Sequence, residues 1–154
     1  MNIRLLLIGK TTTPFVKEGV DIYTKRLKHY CKFEIVEVPD AKVKDPSKQK
    51  EMEAQAILKS LKTDDFVVLL DEKGAQLSSR EYADFLQKKM NAGTRQMVMI
   101  VGGAFGFTPE VYARADYQLA FSKMTFSHEM IRVFITEQVY RAFTILKGES
   151  YHND

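Results

Sequence analysis

Residues 97–110 read MVMIVGGAFGFTPE. Five apolar residues run without a break into two adjacent glycines, and a third glycine follows at 106. An apolar run of this length, closed by glycine, reads as a strand covered on both faces. FVVLLD (66–71) has the same character. Strands buried on both faces belong to parallel sheets, and parallel strands need helical crossovers. The rest of the chain supplies those crossovers. Ile3 to Ile8 is a short apolar strand ending at Gly9. TTTP then starts a helix, with Thr13 as its cap and Pro14 in its first turn. Phe15, Val16, Val20, Tyr23, Leu27 and Tyr30 recur along it at helical spacing.

Phe33 to Val38 forms a second strand, closed by Pro39. The lysine-rich DAKVKDPSKQK that follows is a solvated loop or one that contacts phosphate. A helix over 47–61 turns Met52, Ala56, Ile57 and Leu61 inward. Lys73-Gly74 marks a turn after the third strand. Ser78 or Ser79 caps the next helix and Gly93 lies past its end. Pro109 opens a short helix, Tyr117 to Phe121 is a fifth strand, and His128 to Lys147 is a long final helix. Strand and helix alternate throughout. The expected class is therefore α/β, a mainly parallel sheet with helices on both faces, in one domain over 1–154.

Composition narrows the function. The chain has 154 residues, 45% of them hydrophobic, which is enough to build a core. Its 23 basic and 20 acidic residues leave a formal charge of +3, too small to argue for nucleic acid alone. Lys25, Arg26, Lys28 and Lys32 cluster at one helix end; complementing the helix dipole is preferred there to an RNA patch. One cysteine excludes a disulfide framework, and scattered His29, His128 and His152 give no metal signature. NIRLLLIGK (2–10) is too short to span a membrane and lacks a signal-peptide layout, so the expectation is a cytoplasmic protein.

The last helix carries two apolar faces: Ile131, Ile135, Val139, Ala142 and Leu146 on one, Val133, Tyr140 and Phe143 on the other. A surface helix needs only one. The second points to an identical subunit in preference to a covering loop. Glu137 and Arg141, four apart, suit a helix-stabilising ion pair.

In an open parallel sheet, ligands bind beyond the carboxyl ends of the strands. Three loops leave such ends here: after Leu70, after Val101 and after Phe121. Gly102, Gly103 and Gly106 leave the backbone bare, so its N–H and C=O groups can read a flat polar ring. The spacing is neither that of a dinucleotide fingerprint nor that of a P-loop. A plain strand-ending turn explains these glycines about as well.

LLDEKG (69–74), IVGGAFG (100–106), FSKMTFSHEMIRVFITEQVYRAF (121–143) and GESYH (148–152) occur in that order. Together they resemble the ribosomal RNA large subunit methyltransferase H family, small SPOUT-class enzymes. The resemblance implies a C-terminal trefoil knot, a homodimer, and S-adenosylmethionine as cofactor. It also implies methylation at N3 of a pseudouridine in 23S rRNA of the assembled ribosome, without metal or membrane. Carried over by motif, the cofactor residues are Leu70, Gly102, Gly103, Gly106, Ser122, Lys123, Met124, Thr125, Phe126 and Ser127. The residues implied for substrate handling and catalysis are Tyr151, His152 and Arg141, with the tail placed near a neighbouring subunit's pocket. Arg132 and Arg141 are candidates for rRNA phosphate or a dimer interface. The chain departs from the family pattern at Ser127, where many members carry proline, and at Asn153-Asp154, where many carry a basic residue. The competing readings are a non-enzymatic nucleotide-binding module and a ribosome-assembly factor of similar fold.

Overall fold

The protein is described by a computed structural model, which covers residues 1–153. Five strands alternate with five helices: β1 (Asn2–Ile8), α1 (Pro14–Leu27), β2 (Phe33–Val38), α2 (Pro46–Ser60), β3 (Phe66–Gln76), α3 (Ser79–Asn91), β4 (Gln96–Val101), α4 (Pro109–Arg114), β5 (Tyr117–Ala120) and α5 (Met130–Leu146). They make one sheet of order β2-β1-β4-β3-β5 in which every pairing is parallel. All the strand ends that carry the three loops therefore lie along one edge.

Strand side chains alternate between faces, and both faces are covered. Ile3, Leu5, Leu7, Met97 and Met99 pack with α1, α3 and α5. Leu6, Ile8, Val98 and Ile100 pack with α2 and α4. This is why β1 and β4 read as unbroken apolar runs rather than as alternating ones. Among the described residues no helix is long and apolar enough to cross a membrane.

Three expectations about local structure are corrected. Lys73-Gly74 does not turn the chain; both residues lie inside β3, where the ladder with β5 breaks between Leu70 and Ala75. Gly74 is needed there because a Cβ would stand 2.6 Å from the backbone of Gln118 and Leu119. In α2, Met52 faces out, and Glu53 turns inward beside Ala54 and Ile57. Phe15 is 63% exposed, so the buried stripe of α1 is Val16, Val20 and Leu27.

The second face of α5 is covered within the chain. Val133 packs on Gly19, Tyr140 meets Tyr23 and Tyr30 at 5.9 and 5.7 Å between ring centres, and Tyr30 also meets Phe143. Helix α1 thus accounts for the apolar residues that suggested a partner, and that argument for a dimer falls.

The start of α5 is bound to the end of β1 by charge. Arg132 is 1% exposed. Its Nη2 donates to Ile8 O at 2.7 Å, its Nη1 to Gly9 O and Thr11 Oγ1 at 3.1 and 2.8 Å, and its Nε to His128 O at 3.0 Å. It is a structural tie, not the phosphate or interface residue considered from the sequence. Its neighbour Glu129 caps α1. One carboxylate oxygen accepts from Thr12 N–H and Thr12 Oγ1, the other from Thr13 N–H. Thr13 occupies the cap position but makes no side-chain cap bond of its own. These bonds hold the Glu129 carboxyl at about 2, below its ordinary 4.5.

Lysine at 132 keeps the charge but loses the planar fork that serves four acceptors. Arg132→Lys is expected to cost about 2–3 kcal/mol in urea unfolding, on the scale of buried charged hydrogen bonds; an unchanged midpoint contradicts this role. Because the folded-state value of Glu129 is depressed, its contribution is complete above pH 4.5 and fades as pH falls toward 2. Glu129→Gln is therefore less stable than wild type at pH 7. The gap closes across that acid range in thermal melts, and a gap that stays constant down to pH 2 excludes the linkage.

Candidate functional site

The three loops meet in a hollow of ≈ 730 Å³ at the carboxyl edge of β3, β4 and β5. Leu70, Asp71, Glu72 and Lys73 form one side. Asp71 is held from two directions: its Oδ1 accepts Lys73 N–H at 2.8 Å, and its Oδ2 accepts the Tyr112 hydroxyl from α4. Burial, with that bond, pushes the Tyr112 hydroxyl up to about 12, so it stays a donor.

Val101 to Phe107 form the floor. Gly106 has φ +70° and donates its N–H to Gly103 O at 3.2 Å, closing a tight turn. The other two glycines have a different cause from the one expected. A Cβ on Gly102 would lie 3.0 Å from the Phe107 ring, and one on Gly103 would lie 2.4 Å from Glu53 Oε2. The nearest obstacle to a side chain is thus the protein's own packing, which brings the bare backbone to the hollow.

The third wall is the segment from Phe121 to His128, with Ile131 of α5 behind it. Ser122 Oγ accepts Met124 N–H at 2.9 Å. Ser127 Oγ accepts Met130 N–H at 3.1 Å and so caps α5 at the position where the family pattern has proline. Met124 and Phe126 are exposed, and the Phe126 ring lies 5.1 Å from that of Phe134.

Of the residues expected to meet the cofactor, Leu70, Gly102, Gly103, Gly106, Ser122, Met124, Thr125, Phe126 and Ser127 line one hollow. Lys123 lies in the same segment but is not part of the lining. Sequence reasoning missed Asp71, Tyr112, Lys50 and His128 as wall residues. Asp71 stands inside the LLDEKG motif; nothing local marks Tyr112, which reaches it from 41 positions away.

Arg141, Tyr151 and His152 come together, but elsewhere. Arg141 lies ten residues beyond Ile131 along α5, an axial rise of about 15 Å. It grips Glu137 Oε1 through Nε and Nη2 at 2.9 and 2.6 Å. Tyr151 donates to the same oxygen at 2.9 Å and stands 3.3 Å from the Tyr23 hydroxyl. The guanidinium lies 4.7 Å over the Tyr151 ring. The tail is therefore folded against α5, with Glu137 as its hub. Burial and the bonds to Tyr23 and Glu137 push the Tyr151 hydroxyl up, so it keeps its proton. Arg141 Nη1 lies 3.2 Å from His152 Nδ1. Arginine has no acceptor, so Nδ1 accepts, and neutral His152 carries its hydrogen on Nε2.

Apolar walls of Leu70, Leu119, Phe121 and Ile131 suit the faces of an aromatic ring, and bare backbone suits its polar edge. Asp71 and Glu72 add negative charge at one side. Among the described residues no group of three or more His, Cys, Asp or Glu is placed to hold a metal.

Residues 1–152 match the family model described as "Predicted SPOUT methyltransferase". The chain is 49% identical over 156 residues to the Ribosomal RNA large subunit methyltransferase H of Christiangramia forsetii, covering 99% of each. It is 46% identical over 157 residues to the protein of that name from Porphyromonas gingivalis, covering 100% of each, and 43% identical over 158 residues to that of Clostridium botulinum, covering 99% of each. Among solved structures, a probable methylase family protein from Haemophilus influenzae aligns with TM-score 0.54 at 17% identity, over 96% of this chain and 66% of that one. At that identity the likeness concerns the fold alone.

Gly103→Ala tests the packing origin of the glycine. The added methyl meets Glu53, and the variant is expected to lose about 1–3 kcal/mol of stability, with a lower thermal midpoint. A midpoint equal to wild type would mean that the floor is not packed as described.

Proposed function

The chain belongs to the SPOUT methyltransferase family, and on that premise we propose that it methylates N3 of a pseudouridine in 23S rRNA of the assembled ribosome, with S-adenosylmethionine as donor. All 154 residues act as one SPOUT domain with the knotted C-terminal part that the family resemblance implies. The observation that carries the reading is the convergence of Leu70, Gly102 and the 122–127 segment on one hollow.

The residues present fit the donor. The cavity falls within the usual range of roughly 300–1,000 Å³ for small-molecule sites. Leu70, the glycine loop and residues 122–127 would hold the adenosyl group and its methionine tail. The Asp71 and Glu72 carboxylates lie on the side where a positive sulfur is tolerated. When bound, the cofactor supplies a methyl group already activated on a sulfonium. The chain's own contribution is alignment and exclusion of water. Loop backbone and apolar walls fix one partner, and exposed Met124 and Phe126 offer a face for a base.

Tyr151 and His152 handle the substrate, with His152 donating from Nε2 and Tyr151, whose proton goes to Glu137, packed beside it. A pseudouridine N3 lies between two carbonyl oxygens, and a donor to either stabilises the ring as N3 gives up its proton. Arg141 and Glu137 hold the two side chains in place. This cluster does not line the hollow of its own chain, so a second copy brings its tail to the first copy's cofactor. That arrangement, rather than the second face of α5, is the reason for a homodimer.

Purified protein, labelled S-adenosylmethionine and ribosomes lacking the modification test the reading. Label is expected on 23S rRNA, and no incorporation overturns it. Deleting 151–154 is expected to remove methyl transfer while S-adenosylhomocysteine binds within about threefold of wild type, less than 1 kcal/mol. A truncated chain that works at full rate would remove the tail from the site.

A further inference from the structure

Glu53 is a buried acid in a helix whose exposed neighbour is a methionine. Its residue is 2% exposed. One oxygen, Oε1, accepts Gln49 Nε2–H at 2.8 Å, and the same amide nitrogen lies 3.2 Å from Asp40 Oδ1. The other oxygen, Oε2, has no hydrogen-bond partner among the described residues. It points at Gly103, at 2.4 Å from where a Cβ would be. Glu53 does not line the hollow; a single thickness of backbone separates the two. In the turn itself, Gly106 N–H is bonded to Gly103 O, whereas the N–H groups of Ala104 and Phe105 make no bond among the described residues. An acceptor without a donor thus stands behind a loop holding donors without acceptors.

A buried oxygen without a donor is destabilising where it stands. A methionine of similar length would fill the site without that cost. The carboxyl is a net liability in the cofactor-free chain, which points to a state in which Oε2 is used. Glycine at 103 is what lets the acid come so near.

We infer that Glu53 is a positioning residue for the cofactor loop: Oε2 receives an N–H of residues 103–105 when the adenosyl group seats, and this fixes the floor of the pocket. The inference rests on the cofactor reading proposed above. Burial pushes the Glu53 carboxyl up, the Gln49 bond opposes this, and Asp40 adds to it. Protonated or ionised, the group still offers an acceptor oxygen to the loop.

Glu53→Met and Glu53→Gln, measured in the full chain, decide the matter. S-adenosylhomocysteine affinity is read by calorimetry, and the thermal midpoint is read without ligand. Glu53→Met is expected to melt at or above the wild-type temperature and to bind about tenfold more weakly, the loss of one hydrogen bond. Glu53→Gln keeps an acceptor and is expected to bind within about threefold of wild type. A purely structural acid gives a different pattern, with lowered midpoints in both variants and unchanged affinity. That result, a Glu53→Met chain that binds like wild type, or one that fails to fold each overturns the inference. A wild-type chain with no measurable binding would overturn the cofactor reading itself, and the inference with it.

Discussion

A single buried guanidinium sets the geometry on which the site depends. Arg132 reaches from the first turn of α5 to the carbonyls of Ile8 and Gly9 and to the Thr11 hydroxyl. Its partners are neutral oxygens, with the nearest counter-charge on Glu129 and Glu37. A buried cation requires such complete satisfaction, because each unmet donor would carry its own desolvation cost. The consequence is positional. The segment leaving β5 must arrive at α5 beside the end of β1, and residues 122–128 therefore cross the edge where β3 and β4 end. Glu129 and Ser127 secure the same junction from either side, one by capping α1 and the other by capping α5.

The glycine loop shows how internal packing lays bare the backbone that lines the hollow. Gly102 and Gly103 are required by Phe107 and Glu53, and the backbone exposed to the hollow follows from that packing. The hollow and the tail cluster are physically separate in one chain. The hollow belongs to the strand ends, whereas Tyr151 and His152 fold against the second half of α5, organised by Glu137 and Arg141. On the function proposed above, a second copy completes the site. A methyl transfer needs alignment more than it needs a reactive side chain.

Much of the fold was legible in the sequence. Period, capping residues and strand-ending glycines located all ten elements, because those signals are local. What failed involved contacts across the sheet. Lys73-Gly74 looks like a turn, but Gly74 serves a close approach to β5. Met52 has the hydrophobicity for the core, yet Glu53 occupies it, since its partner Gln49 lies on the same helix and Gly103 lies on a distant loop. Tyr140 and Phe143 looked unpartnered because the aromatics that cover them, Tyr23 of α1 and Tyr30 just past it, are more than a hundred residues earlier. For the site, motif resemblance named the loops that meet at the hollow and the tail that folds against α5. Lys123 is absent from the lining, and Asp71 with Tyr112 emerged only from the strand order. Arg132 could not be told from a phosphate ligand until its four acceptors were in view.

The central claim is that three separated loops form one receptacle for an adenosyl sulfonium. Backbone amide resonances followed during titration with S-adenosylhomocysteine test it directly. Shifts grouped at residues 70–73, 102–106 and 122–128, saturating together with a single affinity, are the predicted result. Shifts confined to one of those loops, or falling on the opposite edge of the sheet, would contradict it.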